Sequence, residues 1–169
     1  MEQLLGSDNF NIVPHAIALA IAYALAFPLG WNREKEERSA GLRTFPLVAV
    51  ASCGFIQAAE SFTVGHPDAM SRIIEGLLAG MGFIGGGAIL RGEQTVRGTA
   101  TAASLWVTGA IGVSVGLGAY DVALMLAIAT FVTLQLLDPL KDIAHKEGAK
   151  EAAAKRAPSK TKKPSSSRG

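Results

Sequence analysis

EGLLAGMGFIGGGAILRGEQTVRGTATAASLW, residues 75–106, is the stretch that decides how this chain folds. Glycines at positions 76, 80, 82, 85, 86 and 87 interrupt an apolar run. A short segment with Arg91, Glu93 and Arg97 follows, then a second apolar run bearing Thr99, Thr101, Ser104 and Thr108. In water each such glycine costs about 1 kcal/mol of helix stability against alanine. In a membrane, glycine lets two backbones approach and gain van der Waals contact. The stretch therefore reads as two membrane-spanning helices joined by a tight charged hairpin, with the rest of the chain arranged around them.

Working outward, residues 72–90 and 99–117 become the third and fourth of five spans. The others are 12–31 (IVPHAIALAIAYALAFPLGW), 44–64 and 120–137. Each approaches the roughly 20 apolar residues that cross a bilayer core of about 30 Å. Pro14 falls in a first helical turn, where proline costs little, whereas Pro28 predicts a kink or an end. Thr44 reads as a cap with Pro46 in the turn behind it. Gly116, Gly118 and a capping Asp121 turn the chain into the last span, which stops at Asp138-Pro139. The predicted fold class is all-α: a polytopic membrane protein with five transmembrane helices and a short basic tail. The sequence Ala-Leu-Ala at 24–26 resembles a signal-peptide cleavage site, but such a peptide needs a basic start. Residues 1–11 carry only Glu2 and Asp8.

Basic residues beside the spans set orientation. Arg33, Lys35, Arg38 and Arg43 follow the first span, Arg91 and Arg97 flank the hairpin, and nine Lys and Arg residues lie in the tail 139–169; the opposite side has only Arg72. This places a short N-terminus (1–11) outside and the tail in the cytoplasm. The start of the tail favours a short helix, its end is expected to be disordered, and no folded second domain is expected within it. Such a tail either lies on anionic lipid or is solvated and fixes topology.

Catalytic signals are absent. His15, His66 and His145 are far apart with no metalloprotease spacing, and no nucleophile elbow or Walker lysine occurs. GMGFIGGG (80–87) resembles a phosphate loop but has no strand before it. The single cysteine, Cys53, lies in an apolar run and reads as a small buried side chain. A net charge of +2 gives no indication of nucleic acid. No enzymatic activity and no cofactor are expected, a weak magnesium interaction aside.

Polar residues in or beside the membrane supply the candidates, since charge there is costly. Glu60, Asp68, Arg72 and Glu75 could meet at the outer level as a cation or proton site; hard cations such as magnesium prefer oxygen ligands. The plainer reading pairs Arg72 with Glu75 and lets Glu60 reach water. On the inner side, Arg33, Glu34, Arg43, Arg91, Glu93 and Arg97 form either an ion-pair lattice or a docking surface. Arg43 and Arg97 have Glu34 and Glu93 nearby, and arginine can hold a carboxylate through two parallel hydrogen bonds. Thr101, Ser104 and Thr108 share one face of the fourth span and could bond to neighbouring helices. Trp106, deep in that span, is expected to need a protein partner for its N–H. Small residues spaced by four argue for a compact bundle or oligomer. These are Ala16, Ala20 and Ala24; Gly76 and Gly80; Gly82 and Gly86 (with Gly85 and Gly87); and Gly112 and Gly116.

Several ordered motifs then become informative together. Gly30-x-x-Arg33-Glu34, Ala40-Gly41-Leu42-Arg43-Thr44, Gly82-Phe83-Ile84-Gly85-Gly86-Gly87-Ala88-Ile89 and Val96-Arg97-Gly98, followed by Thr101-Ala102-Ala103-Ser104-Leu105-Trp106, resemble the MgtC/SapB family of bacterial inner-membrane proteins. The likeness covers roughly residues 10–137. Asn32, Phe45 and Thr99-Ala100 depart from the family pattern, and larger members carry a soluble domain after the fifth span. The resemblance implies a link to magnesium limitation, acid tolerance and, in pathogens, survival inside host cells. It further implies a modulator that binds other membrane proteins, including the membrane part of ATP synthase. The alternative is a small oligomeric channel or transporter for magnesium or protons, with Gly85–Gly87 as a helix break lining the path. Partner, ion and oligomeric state are not legible in the sequence.

Overall fold

Helix α1 spans Ile12–Lys35, 24 residues and about 36 Å at 1.5 Å per residue. The computed structural model describes residues 12–35, 40–91 and 96–136, and at 61, 62, 90 and 91 the backbone alone. The expected external N-terminus, Glu93 and the basic tail lie outside the described residues. The chain divides into two units, Met1–Leu134 and Gln135–Gly169. Of the second, only Gln135 and Leu136 are described, as the last residues of a helix.

Helix α1 runs past Pro28 and beyond the expected end at Trp31 to Lys35. Proline removes one backbone donor, and the turn beyond it is held from outside by the contacts of Gly30 with the 41–45 segment described below. Helix α2 (Thr44–Thr63) begins as expected, but its cap position is Arg43 rather than Thr44. The Gly41 carbonyl accepts the N–H groups of Thr44 and Phe45 at 3.1 and 3.2 Å. Helix α3 (Pro67–Gly87) starts before the expected Arg72 and ends before the expected Leu90. Pro67 in the first turn has no N–H to leave unpaired, and Asp68 suits the positive helix end. Gly85–Gly87 close α3 as its last residues, so they are a helix end and not a break within it.

Leu90–Arg91 (β1) and Val96–Arg97 (β2) pair antiparallel, Leu90 opposite Arg97 and Arg91 opposite Val96. Gly98 leaves this hairpin at φ 89°, and a β-carbon there would strike the Ala88 carbonyl oxygen. Helix α4 (Thr99–Gly116) follows, and Gly118 at φ 76° turns the chain into α5, Tyr120–Leu136. The Ala119 carbonyl accepts the Ala123 N–H, so Ala119 takes the cap position before α5 and Asp121 stands in its first turn rather than capping it.

The core runs along α4. Leu105, Ile111 and Val115 pack with Ala18, Ala22, Ala26 and Leu29 of α1, with Phe45, Ala49 and Cys53 of α2, and with Ala123 and Ala127 of α5. Alanines at these positions bring the backbones close. Helix α3 is peripheral, with only Met81 and Gly85 buried. The opening stretch thus divides: its second half is the centre of the bundle and its first half lies at the edge. Among the described residues two helices, α1 and α4, are long and apolar enough to cross a membrane, and α2 (over Thr44–Glu60) and α5 carry shorter apolar runs.

Candidate functional site

At the end of α1, Gly30 faces the backbone of the next segment. A β-carbon on Gly30 would lie 3.1 Å from the Gly41 carbonyl oxygen, 3.2 Å from Leu42 Cα and 3.2 Å from Phe45 Cβ. One turn on, Glu34 Oε2 accepts the Leu42 N–H at 3.1 Å. Gly41 in turn lies so close to Glu34 that a β-carbon would strike the carboxylate and stand 3.2 Å from Glu34 Cα. The two glycines and the carboxylate therefore form a latch between the end of α1 and the 41–45 segment. Between them Arg33 is 1% exposed, and its Nη2 donates to Asn32 Oδ1 at 3.2 Å. A guanidinium buried this deeply holds its charge only among polar partners.

The expected inner charged lattice is thus distributed differently. Arg33 is in the core, Glu34 holds a backbone amide, and Arg43 and Arg97 are exposed. Among the described residues neither Arg43 nor Arg97 closes an ion pair, so the two-bonded Arg43–Glu34 contact gives way to the Glu34–Leu42 bond. Arg91 lies in β1, and Glu93 is outside the described residues.

Arg43 instead stands at one end of a groove of about 800 Å³ between α2 and α3. Leu47, Ala51 and Phe55 line one wall; Leu77, Gly80 and Ile84 line the other. Beside it, Met81 reaches across to α4 and occupies the space over Gly109.

The glycines expected to pack divide into two groups. Gly112 packs against Ala49 and Ser52, where a β-carbon would come within 2.8 Å of Ser52 Cβ. Gly116 packs on Cys53 and Ile56, and Gly85 on Ala102. Gly76, Gly80, Gly82, Gly86 and Gly87 have no described atom within 4 Å of a β-carbon position, so the expected packing role is not fulfilled within this chain. Gly109 was missed because it stands outside the four-residue repeat.

Thr101, Ser104 and Thr108, which could bond to neighbouring helices by their shared face, are buried. The bonds they make return to their own helix: Ser104 Oγ donates to the Thr101 carbonyl at 3.0 Å and Thr108 Oγ1 to that of Ser104 at 2.7 Å. Trp106 points outward, 45% exposed, with no hydrogen bond from its indole among the described residues, contrary to the expected protein partner.

The outer candidates are exposed. Asp68 and Arg72 share a small pocket with His66, which neither Glu60 nor Glu75 lines. Arg72 and Glu75 do not form the expected ion pair. Among the described residues, no group of three or more His, Cys, Asp or Glu could hold a metal ion.

One feature of α1 was legible but missed. Tyr23 stacks on Phe27 at 6.1 Å between ring centroids, Phe27 meets Trp31 at a tilt at 6.0 Å, and Lys35 Nζ lies 5.5 Å over the Trp31 ring. Their spacing of four places them on one helix face.

Residues 19–143 match the model of the MgtC family. SrpB of Synechococcus elongatus is 38% identical over 135 residues, covering 73% of this chain and 72% of that protein. MgtC of Salmonella typhimurium is 39% identical over 121 residues, covering 72% of this chain and 51% of its own. MgtC of Brucella abortus is 35% identical over 128 residues, with 76% and 53% covered. The chain thus spans about half the length of these MgtC proteins. No solved structure matches it. Together with two membrane-capable helices, these matches establish that the chain belongs to the MgtC family, as a membrane protein.

Proposed function

We propose that this protein is a five-span bacterial inner-membrane protein that modulates other membrane proteins through helix–helix contact and catalyses no reaction. The observation that carries this reading is α3, a helix of 21 residues with only Met81 and Gly85 buried. Glu75, Ala79, Gly82 and Gly86 form an open ridge along it. Such a ridge admits close approach of a foreign helix, from a partner or from a second copy. Exposed Leu47, Phe55, Phe83 and Met125 support a lipid surround, since an apolar surface of this extent is foreign to water-soluble monomers. The aromatic ladder ending at Trp31 and Lys35 supports a membrane–water boundary at that end of α1. With the basic residues, it favours an outer N-terminus and a cytoplasmic tail. Family membership motivates the link to magnesium limitation or acid stress.

The conducting alternative loses its main support, because the glycines expected to break a span end α3 instead. The test is ion flux into liposomes that hold only the purified protein. No magnesium or proton flux is expected, together with restored growth at low magnesium when the gene is returned to a deletion strain. Flux by the pure protein would establish a channel or transporter instead.

A further inference from the structure

The groove between α2 and α3 has a shape and a charge that the proposed modulation does not use. Its walls are apolar except at Ser52, which is nearly fully buried: Leu47, Ala51 and Phe55 face Leu77, Gly80 and Ile84. Arg43 and Thr44 stand at one end only. Its volume of about 800 Å³ falls in the range of roughly 300–1,000 Å³ occupied by small-molecule sites. From Arg43 to Phe55 the α2 wall rises about 18 Å at 1.5 Å per residue, slightly more than half of a bilayer core of about 30 Å.

We propose that this groove holds one anionic phospholipid from the leaflet at the Arg43 end, with an acyl chain along the groove and the phosphate at Arg43. Length argues for it, since the groove is one leaflet deep. Charge argues for it as well. A single cation, closing no ion pair among the described residues, heads a mainly apolar channel. The guanidinium fork matches phosphate oxygens, and the Thr44 hydroxyl stands beside it. The α2 backbone contributes less, because the N–H groups of Thr44 and Phe45 already bond the Gly41 carbonyl. Width argues against a second helix. A helix about 10 Å across and 18 Å long occupies roughly 1,400 Å³, so only part of it would seat. Gly80, with no described atom within 4 Å of a β-carbon position, keeps the floor open for a chain.

The lipid site rests on membrane residence but not on modulation of a partner. The test uses the full chain reconstituted in phosphatidylcholine vesicles with a trace of phosphatidylglycerol carrying a photoreactive acyl chain. Label is expected on the groove peptides around Leu47, Ala51 and Leu77, displaced by unlabelled phosphatidylglycerol and not by added phosphatidylcholine. Arg43→Gln should lower groove labelling about five-fold, the factor for one basic side chain at an anionic surface, while Arg43→Lys retains most of it. Gly80→Leu should fill the floor and reduce groove labelling without lowering the melting temperature, which keeps the test valid if Arg43→Gln folds poorly. Label spread evenly over α1 and α5, equal displacement by phosphatidylcholine, or disulfide-linked dimers of an Ala51→Cys variant would overturn the proposal. Failure of the protein to enter vesicles at all would overturn the membrane reading, and this site with it.

Discussion

Glu34 and Gly41 depend on each other in a way that a double-mutant cycle can measure. Gly41→Ala pushes a methyl group into Glu34, whose carboxylate can swing away but whose Cα, 3.2 Å from the new carbon, cannot. The Leu42 N–H then loses its acceptor, a loss of about 1 kcal/mol for one hydrogen bond. Glu34→Ala removes the same bond and relieves the carboxylate part of the clash. Each variant should melt several degrees below wild type in detergent, and the double variant should lose less than the sum of the two. Strictly additive losses would show that the latch is not one unit. The motifs containing these residues were visible as a family resemblance, but their purpose was not. A glycine shows its role only when the segment crossing it is known, and here that segment comes from beyond the loop. The burial of Arg33 was hidden for the same reason, since its neighbours Asn32 and Glu34 suggest a solvated charged loop.

For whole helices, the contrast between α3 and α4 is the informative one. Gly112→Leu should clash with Ala49 and Ser52 and cost about 1–3 kcal/mol, the usual range for overpacking. Gly82→Leu meets open space and removes a poor helix former, so its melting temperature should equal or exceed that of wild type. If the open ridge docks a partner, Gly82→Leu should nonetheless fail to restore growth at low magnesium. A marked loss of stability in Gly82→Leu would place that face in a packed interface of the purified protein. Sequence spacing suggested the same role for Gly82 as for Gly112. Glycines have no side chain to mark a buried face, so a four-residue repeat shows only that close approach is possible. The limits of α2 and α4 were legible because Pro46, Gly98 and the apolar runs act locally. The start of α3 was misplaced because Pro67-Asp68 is both a loop-like dipeptide and a helix-starting one.

At the scale of the molecule, the proposed five crossings require the turn before α5 and the residues after it to lie on opposite sides. Reporter fusions after Ala119 and after Lys146 should therefore read outside and inside, and the same side for both would exclude α5 as a crossing and break the five-span model. A more general consequence follows from where the bulky aromatic residues lie. The chain contains only two tryptophans, and both point away from the bundle, Trp31 at 48% and Trp106 at 45% exposed. Neither indole is enclosed by the core that melts when the fold is lost. Intrinsic fluorescence should therefore report the solvent around the protein more than its unfolding. In single-tryptophan variants, brominated acyl chains should quench the Trp106 emission of Trp31→Phe more than the Trp31 emission of Trp106→Phe. Aqueous quenchers should show the reverse order. The protein would then carry a built-in ruler of bilayer depth, one mark near the headgroups and one among the chains, legible without any attached dye.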